Sequence, residues 1–344
     1  MKCFRSLLLI IALLIPTLSF GLAGGETQLY STIWFRYFSK YSFDTTENKN
    51  KFEPGRFYIG RCYVGLKHSF GDKFEAHIRV NILGPEGERL ELRVAEAIYK
   101  PYPSLSLEAG VMVVPFSISR FWDYRIIPVF PEGERQYGGS ALMPAADFGI
   151  LSTWNVTGSL TLRCGVFNGE GFSVSHNDAD KYPSLIADLI FAPPSGIYFL
   201  GSGFKFEKRE VTDGATVSTE NRILIAPYFG FKKGFLETML QVDLHKVGDL
   251  KQLAGMSAFF FHPTSKLEPV LRLDWWDPNL DIKRDEEIDL LTGLNYYLYK
   301  PNPDKFSPNV FIQLQYQYTK FRDGSHPTQD IMLQLHTNLE TAIF

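Results

Sequence analysis

From Lys73 to Ile82 polar and apolar residues alternate without a break: Lys73, Glu75, His77, Arg79 and Asn81 against Phe74, Ala76, Ile78, Val80 and Ile82. A period of two that sorts every charge to one face predicts a strand with one wet face and one apolar face. The stretch from Arg89 to Ile98 repeats it, with Arg89, Glu91 and Arg93 against Leu90, Leu92, Val94 and Ile98, and Glu96 out of phase. Further on, Gln313, Gln315 and Gln317 alternate with Ile312, Leu314, Tyr316 and Tyr318. Reading the whole chain this way predicts sixteen strands, near residues 27–40, 55–69, 73–83, 89–99, 105–114, 146–157, 159–167, 184–192, 196–207, 221–231, 234–246, 252–261, 266–276, 287–299, 308–321 and 329–344.

Connections after even-numbered strands are mostly tight, built on Gly71-Asp72, Thr157-Gly158, Pro193 to Gly196, Lys232 to Gly234 and Pro263 to Ser265. Those after odd-numbered strands are mostly longer, as in Tyr41 to Pro54, Asn168 to Pro183 and Lys208 to Glu220. An even number of strands, short turns on one rim and long loops on the other predict an all-β fold: a sixteen-stranded antiparallel transmembrane β-barrel with short periplasmic turns and long extracellular loops. A soluble sandwich or propeller would alternate in a similar way. Composition favours the membrane. There are 17 Tyr, 29 Phe and 5 Trp, yet mean hydropathy is only −0.09 and 21% of residues are charged. No apolar run of about 18 residues follows the first two dozen, which argues against helical spans. Aromatics also crowd strand ends, at Trp275, Trp276, Tyr296, Tyr297, Tyr316 and Tyr318, and Phe344 is terminal.

The first residues read as an address. Lys2 and Arg5 precede an aliphatic run from Leu7 to Leu14, then Pro16 and the small residues Ser19, Gly21, Ala23 and Gly24. This is the pattern of a secretory signal peptide, assigned to residues 1–23, with the barrel over 24–344. Loss of Lys2 and Arg5 takes the formal charge from −3 to −5, so a globally basic nucleic-acid binder is excluded. Cys62 and Cys164 both fall at apolar-face positions, where a thiol acts as a small hydrophobe. No closely spaced His/Cys set predicts a metal centre, and no cofactor is expected.

Several segments resemble the phosphate-selective porin O and P family. They are Arg56 to Lys73, with Phe57-Tyr58-Ile59-Gly60-Arg61 and Gly65-Leu66-Lys67; Glu108 to Arg120, with Ala109-Gly110 and the Val114-Pro115-Phe116 step; and Ala146-Asp147-Phe148-Gly149. Gly165 to Gly171, Leu271-Arg272-Leu273-Asp274 and Gly293-Leu294-Asn295-Tyr296-Tyr297 follow in the family's order. The resemblance implies sixteen-stranded outer-membrane channels of a Gram-negative bacterium, generally homotrimeric. In phosphate-specific members lumenal arginines and lysines hold the anion, and those clusters do not match here residue by residue.

If the apolar face meets outer-membrane lipid, the polar face lines the pore. Arg36, Arg61, Lys67, Lys73, Arg79, Arg89, Arg93 and Arg163 then point inward from strands 1–4 and 7. Glu237, Asp243, Glu268, Asp274 and Glu340 form an acidic arc opposite, with Arg272 as an exception and Gln313, Gln315, Gln317 and Gln334 as uncharged lining. Pairing with Glu75 and Glu91 is the alternative role for individual arginines. The 31 residues from Pro115 to Ala145 show little alternation, and loops of that length are usually functional. They are the candidate constriction, carrying Arg120, Asp123, Arg125, Glu132, Glu134 and Arg135. An external loop packed on a neighbouring protomer is the other reading.

No H-E-x-x-H or G-x-S-x-G occurs among the residues, so no catalytic motif points to an enzyme. The expected function is passive diffusion of small hydrophilic solutes, with preference for anions such as phosphate or organic acids. A structural or adhesive barrel protein whose long loops bind a partner is the alternative.

Overall fold

The computed structural model describes residues 25–44, 49–82, 91–115, 146–169, 182–213, 216–300, 309–322 and 327–342. They form sixteen strands: β1 (Glu26–Asp44), β2 (Lys49–Phe70), β3 (Phe74–Asn81), β4 (Glu91–Tyr102), β5 (Leu105–Val113) and β6 (Ala146–Asn155). Then come β7 (Leu160–Phe167), β8 (Ser184–Phe191), β9 (Tyr198–Asp213), β10 (Thr216–Lys233) and β11 (Leu236–Val247). The last five are β12 (Leu250–Phe261), β13 (Leu267–Asp277), β14 (Glu287–Tyr299), β15 (Asn309–Phe321) and β16 (Thr328–Ala342). Every strand pairs antiparallel with its sequence neighbours, and β16 pairs with β1 from Gln28↔Ala342 to Tyr41↔Gln329. Closure leaves no strand edge, the condition a sheet must meet to cross a bilayer.

Alternation decides which face each side chain takes. On β13, Leu271 and Leu273 stand exposed on the outside while Glu268, Val270, Arg272 and Asp274 are buried inside. On β15, Ile312 and Leu314 face out and Gln313, Gln315 and Gln317 face in. Eleven residues of β13 at about 3.3 Å each, tilted by about 40°, rise roughly 28 Å, enough for an apolar band of ~25 Å. Phe70, Phe74, Tyr99, Tyr102, Trp154, Tyr296 and Tyr299 are exposed near the short-turn rim, and Phe74 stacks on Tyr99 at 4.6 Å between centroids. Aromatics that are apolar in body and polar at the tip favour that interfacial level. Two of the predicted strand-end aromatics belong elsewhere: Trp276 and Tyr297 share the inward phase with Asp274 and Asn295.

The rims depart from expectation in two places. Residues predicted as long loops over 41–54 and 208–220 are largely strand, with ladders running on to Asp44↔Lys49 and Asp213↔Thr216. A hairpin wetted on both faces keeps its backbone pairing while its hydrophobic period fades, as the consecutive charges Lys208, Arg209 and Glu210 illustrate. On the same rim, β11 and β12 are joined by Gly248 and Asp249 alone.

The strand β4 contains the largest correction to the predicted faces. Its ladder with β3 pairs Arg79 with Val94 but Val80 with Leu92, leaving Arg93 as one residue too many. This bulge reverses the phase of the rest of the strand. Val94, with 0% exposure, Glu96 and Ile98 therefore turn inward, whereas Ala95, Ala97 and Tyr99 turn outward. Glu96 is thus no misfit; Val94 and Ile98 were assigned to the wrong face by unbroken alternation.

Candidate functional site: the lumen

The lumenal wall is organised in cross-strand rungs. One aromatic rung runs Trp34, His336, Phe311, Tyr297 over β1, β16, β15 and β14, each residue directly opposite the next. Phe311 stacks on His336 at 4.5 Å, the Arg36 guanidinium lies 4.7 Å from the Trp34 ring, and Lys300 lies 4.0 Å from the Tyr297 ring. The next rung is amide-rich: Arg36 donates to Gln334, Gln313 donates to the Asn295 carbonyl oxygen at 3.0 Å, and Asn295 donates to Glu268 at 2.9 Å. Glu268 also accepts from the Tyr297 hydroxyl at 3.0 Å, and His262 stands between it and Glu237 at 3.2 and 3.3 Å.

Two tyrosines cross whole strands. Tyr30 of β1 reaches over β2 to His77 of β3, and His77 Nδ1 lies 2.8 Å from Glu96 of β4. A side chain at Gly65, midway, would collide with the Tyr30 ring. Tyr228 makes the same crossing from β10 over Gly201 to Asp188.

Access to water divides the wall. From β5 round to β16 many inward side chains are shut off: Met112, Val114, Leu151, Phe167, Leu224, Met256, Phe260 and Leu291 form part of one apolar belt, and Gln315 and Gln317 are each 1% exposed, while Glu237, His262 and Lys300 stay partly open. On β2 to β4 Tyr63, Asn81 and Val94 are buried, but several ionic groups keep more access to water. Lys67 is 40% exposed, Arg93 and His77 19%, and Glu91 22%.

The predicted lining residues sort accordingly. Arg36, Lys67, Arg79 and Arg163 share the inward phase, and Arg93, the bulged residue, reaches the inward Glu91. Lys67 meets Glu75 at 2.9 Å, with Lys100 on the other oxygen, and Arg93 meets Glu91 at 3.3 Å. Arg79 lies 5.2 Å from the Tyr63 ring, its Nε without a hydrogen-bond partner. Arg163 stands 3.9 Å from Asp188. Arg61 sits opposite Trp34 in the ladder and Glu340 opposite Tyr30; their side chains lie outside the described residues. Lys73 is displaced from its predicted place on the wall, because the β2–β3 turn takes in residues 71–73 and leaves it exposed at the rim. Arg89 and the loop residues Arg120, Asp123, Arg125, Glu132, Glu134 and Arg135 lie outside the described residues.

Of the acidic arc, Asp243, Glu268 and Asp274 are buried and Glu237 is partly exposed. Asp243 accepts from Gln241 at 2.6 Å, and Asp274 takes three contacts from Arg272, Nε at 2.8 and 3.0 Å and Nη2 at 2.8 Å. Asp289, directly opposite Asp274, accepts from Thr319 and Gln317. Asp188, Lys205, Glu207, Asp289 and Asp330 also face in. Most of these were findable: Lys205 and Glu207 alternate with Phe204 and Phe206, and Asp330 is in phase with Gln334. The basic side is less purely basic than expected, because Glu75, Glu91 and Glu96 stand among its cations.

This architecture is that of the outer-membrane channels. The chain resembles the outer membrane channel DcaP of Acinetobacter baumannii at TM-score 0.62 and 13% identity, covering 91% of this chain and 98% of that one. It resembles Pseudomonas putida OprB at 0.62 and 10%, covering 92% and 94%, and the anion-selective porin from Comamonas acidovorans at 0.60 and 13%, covering 92% and 100%. No protein-family model matches the chain, and no curated protein does.

Proposed function

We propose that this protein is an outer-membrane porin, exported by residues 1–23, that passes small hydrophilic solutes by passive diffusion and favours anions such as phosphate or organic acids. The observation that carries the preference is the unequal access of the two walls. Asp243, Glu268 and Asp274 of the acidic arc are buried, while Lys67 and Lys100 are 40% and 39% exposed and Arg79 and Arg93 lie near them. A solute meets the charges it can reach, and a low-dielectric channel focuses their field. The Comamonas acidovorans porin being anion-selective is consistent with this.

The same proposal makes residues 115–145 the constriction loop: the chain leaves β5 at Val114 and rejoins the wall at Ala146, both buried. Assembly as a homotrimer, implied by the sequence resemblance, completes the reading.

Purified protein in planar bilayers under a KCl gradient tests it. Stepwise currents with a reversal potential on the chloride side are expected, reduced by Lys67→Gln combined with Arg79→Gln. No steps would overturn the channel, and cation selectivity unmoved by those substitutions would overturn the anion preference.

A further inference from the structure

Among the described residues of β2 to β4, one imidazole stands on the lumenal face within a cluster of charges. His77 occupies the middle of the rung from Tyr30 to Glu96, with Nε2 against the tyrosine hydroxyl and Nδ1 2.8 Å from the carboxylate. Lys67 of β2 is directly opposite it, and Glu75 and Arg79 flank it on its own strand. From β4 come Glu96 and Lys100, the latter bound to Glu75, and from β5 comes Glu108, opposite Ile98 one rung away. The other described imidazoles are differently placed. His336 is stacked on Phe311 within the closed wall, His245 is hydrogen-bonded to Gln252 on β11 to β12, His262 lies in the β12–β13 turn, and His68 bonds Thr27 on the outer face.

We propose that His77 sets the charge selectivity of the channel and makes it vary with pH, an assignment that rests on the porin reading above. Imidazole is the side chain that ordinarily changes charge between pH 5 and 8. When His77 is neutral, Glu96 faces the path as an anion without a cationic partner on that rung. When His77 is protonated, it neutralises Glu96 in place, and Lys67, Lys100 and Arg79 dominate the field that a solute crosses. Gly65 keeps the ring in this position, since any larger residue there would push Tyr30 off it. The direction is therefore fixed: anion preference rises as the medium is acidified.

Reversal potentials of wild type, His77→Gln, Glu96→Gln and the outer-face variant His68→Gln in bilayers between pH 8 and pH 5.5 test the assignment. Wild type and His68→Gln should gain anion over cation permeability by about twofold on acidification, the effect of one added charge in a focused field. His77→Gln should lose most of that gain. Glu96→Gln should already show at pH 8 the preference that wild type reaches at pH 5.5, which keeps the test open if His77→Gln does not insert. A conducting His77→Gln that retains the wild-type profile overturns the assignment alone. A wild type that does not conduct overturns it together with the porin reading.

Discussion

Tyr228 on β10 donates its hydroxyl to Asp188 on β8 at 2.8 Å, passing over Gly201 of the strand between them. The crossing ties three strands by one side chain, and it needs a residue without Cβ at its midpoint. Gly201→Val should cost about 1–3 kcal/mol, the usual range for overpacking. Tyr228→Phe keeps the ring and removes only the hydrogen bond, so it should cost no more than about 1–3 kcal/mol. Urea unfolding midpoints in lipid vesicles check both, and an unshifted Gly201→Val would mean that the ring does not lie over β9.

The bulge at Arg93 makes a directional prediction. Ala97 faces lipid and Ile98 faces the lumen, the reverse of what unbroken alternation from Arg89 gives. Ala97→Arg should therefore cost up to about 2–4 kcal/mol if it lies near the midplane, whereas Ile98→Arg escapes the lipid penalty. Folding into vesicles followed by heat-shift electrophoresis reads the difference; equal yields would remove the bulge.

Thiol labelling separates the two walls. Lys67→Cys and Lys100→Cys should react readily with a charged, membrane-impermeant thiol reagent in reconstituted protein. Gln315→Cys and Gln317→Cys should react at least ten times more slowly, since both positions are 1% exposed and a reagent needs access to the thiolate. Native Cys62 and Cys164, on the lipid face, should stay unlabelled. Comparable rates at Lys67→Cys and Gln317→Cys would mean an open, centred pore.

The ion pair between Arg272 and Asp274 is buried on the closed wall, next to Asp289. Arg272→Met alone leaves two facing carboxylates without the Arg272 guanidinium and should cost about 3–5 kcal/mol. Arg272→Met with Asp274→Leu should recover most of that loss. Chemical denaturation of the single and double variants measures the coupling, and a harmless single variant would show the pair to be solvated.

The strand count and most faces could be read from the residues, because lipid outside and polar groups inside impose a period of two that nothing local disturbs. Gln313, Gln315 and Gln317 are the plainest case. Where a second rule intervenes, the pattern misleads. The bulge at Arg93 exchanges faces for Val94 and Ile98, and Lys73 is taken up by a turn although its phase is right. Hairpins wetted on both sides lose their period while keeping their ladder, so 208–213 read as loop. The rung from Tyr30 to Glu96 was beyond reach, since it depends on the offsets of four strands at once. So was the unequal access of the walls, because alternation marks what points inward and carries no information on what water touches there.

A ladder that slips by two residues keeps every apolar side chain on the lipid face, so hydrophobicity alone cannot tell such a misassembled barrel from the native one. Tyr30 over Gly65 and Tyr228 over Gly201 can. A two-residue slip would set the Tyr30 ring against Tyr63 or Lys67 in place of a bare backbone, and a slip of β9 against β10 would set Tyr228 against Phe199 in one direction but against the equally bare Gly203 in the other. The two crossings therefore act as alignment keys, one near the seam where β1 meets β16 that rejects a slip either way and one half-way round that rejects it in one direction.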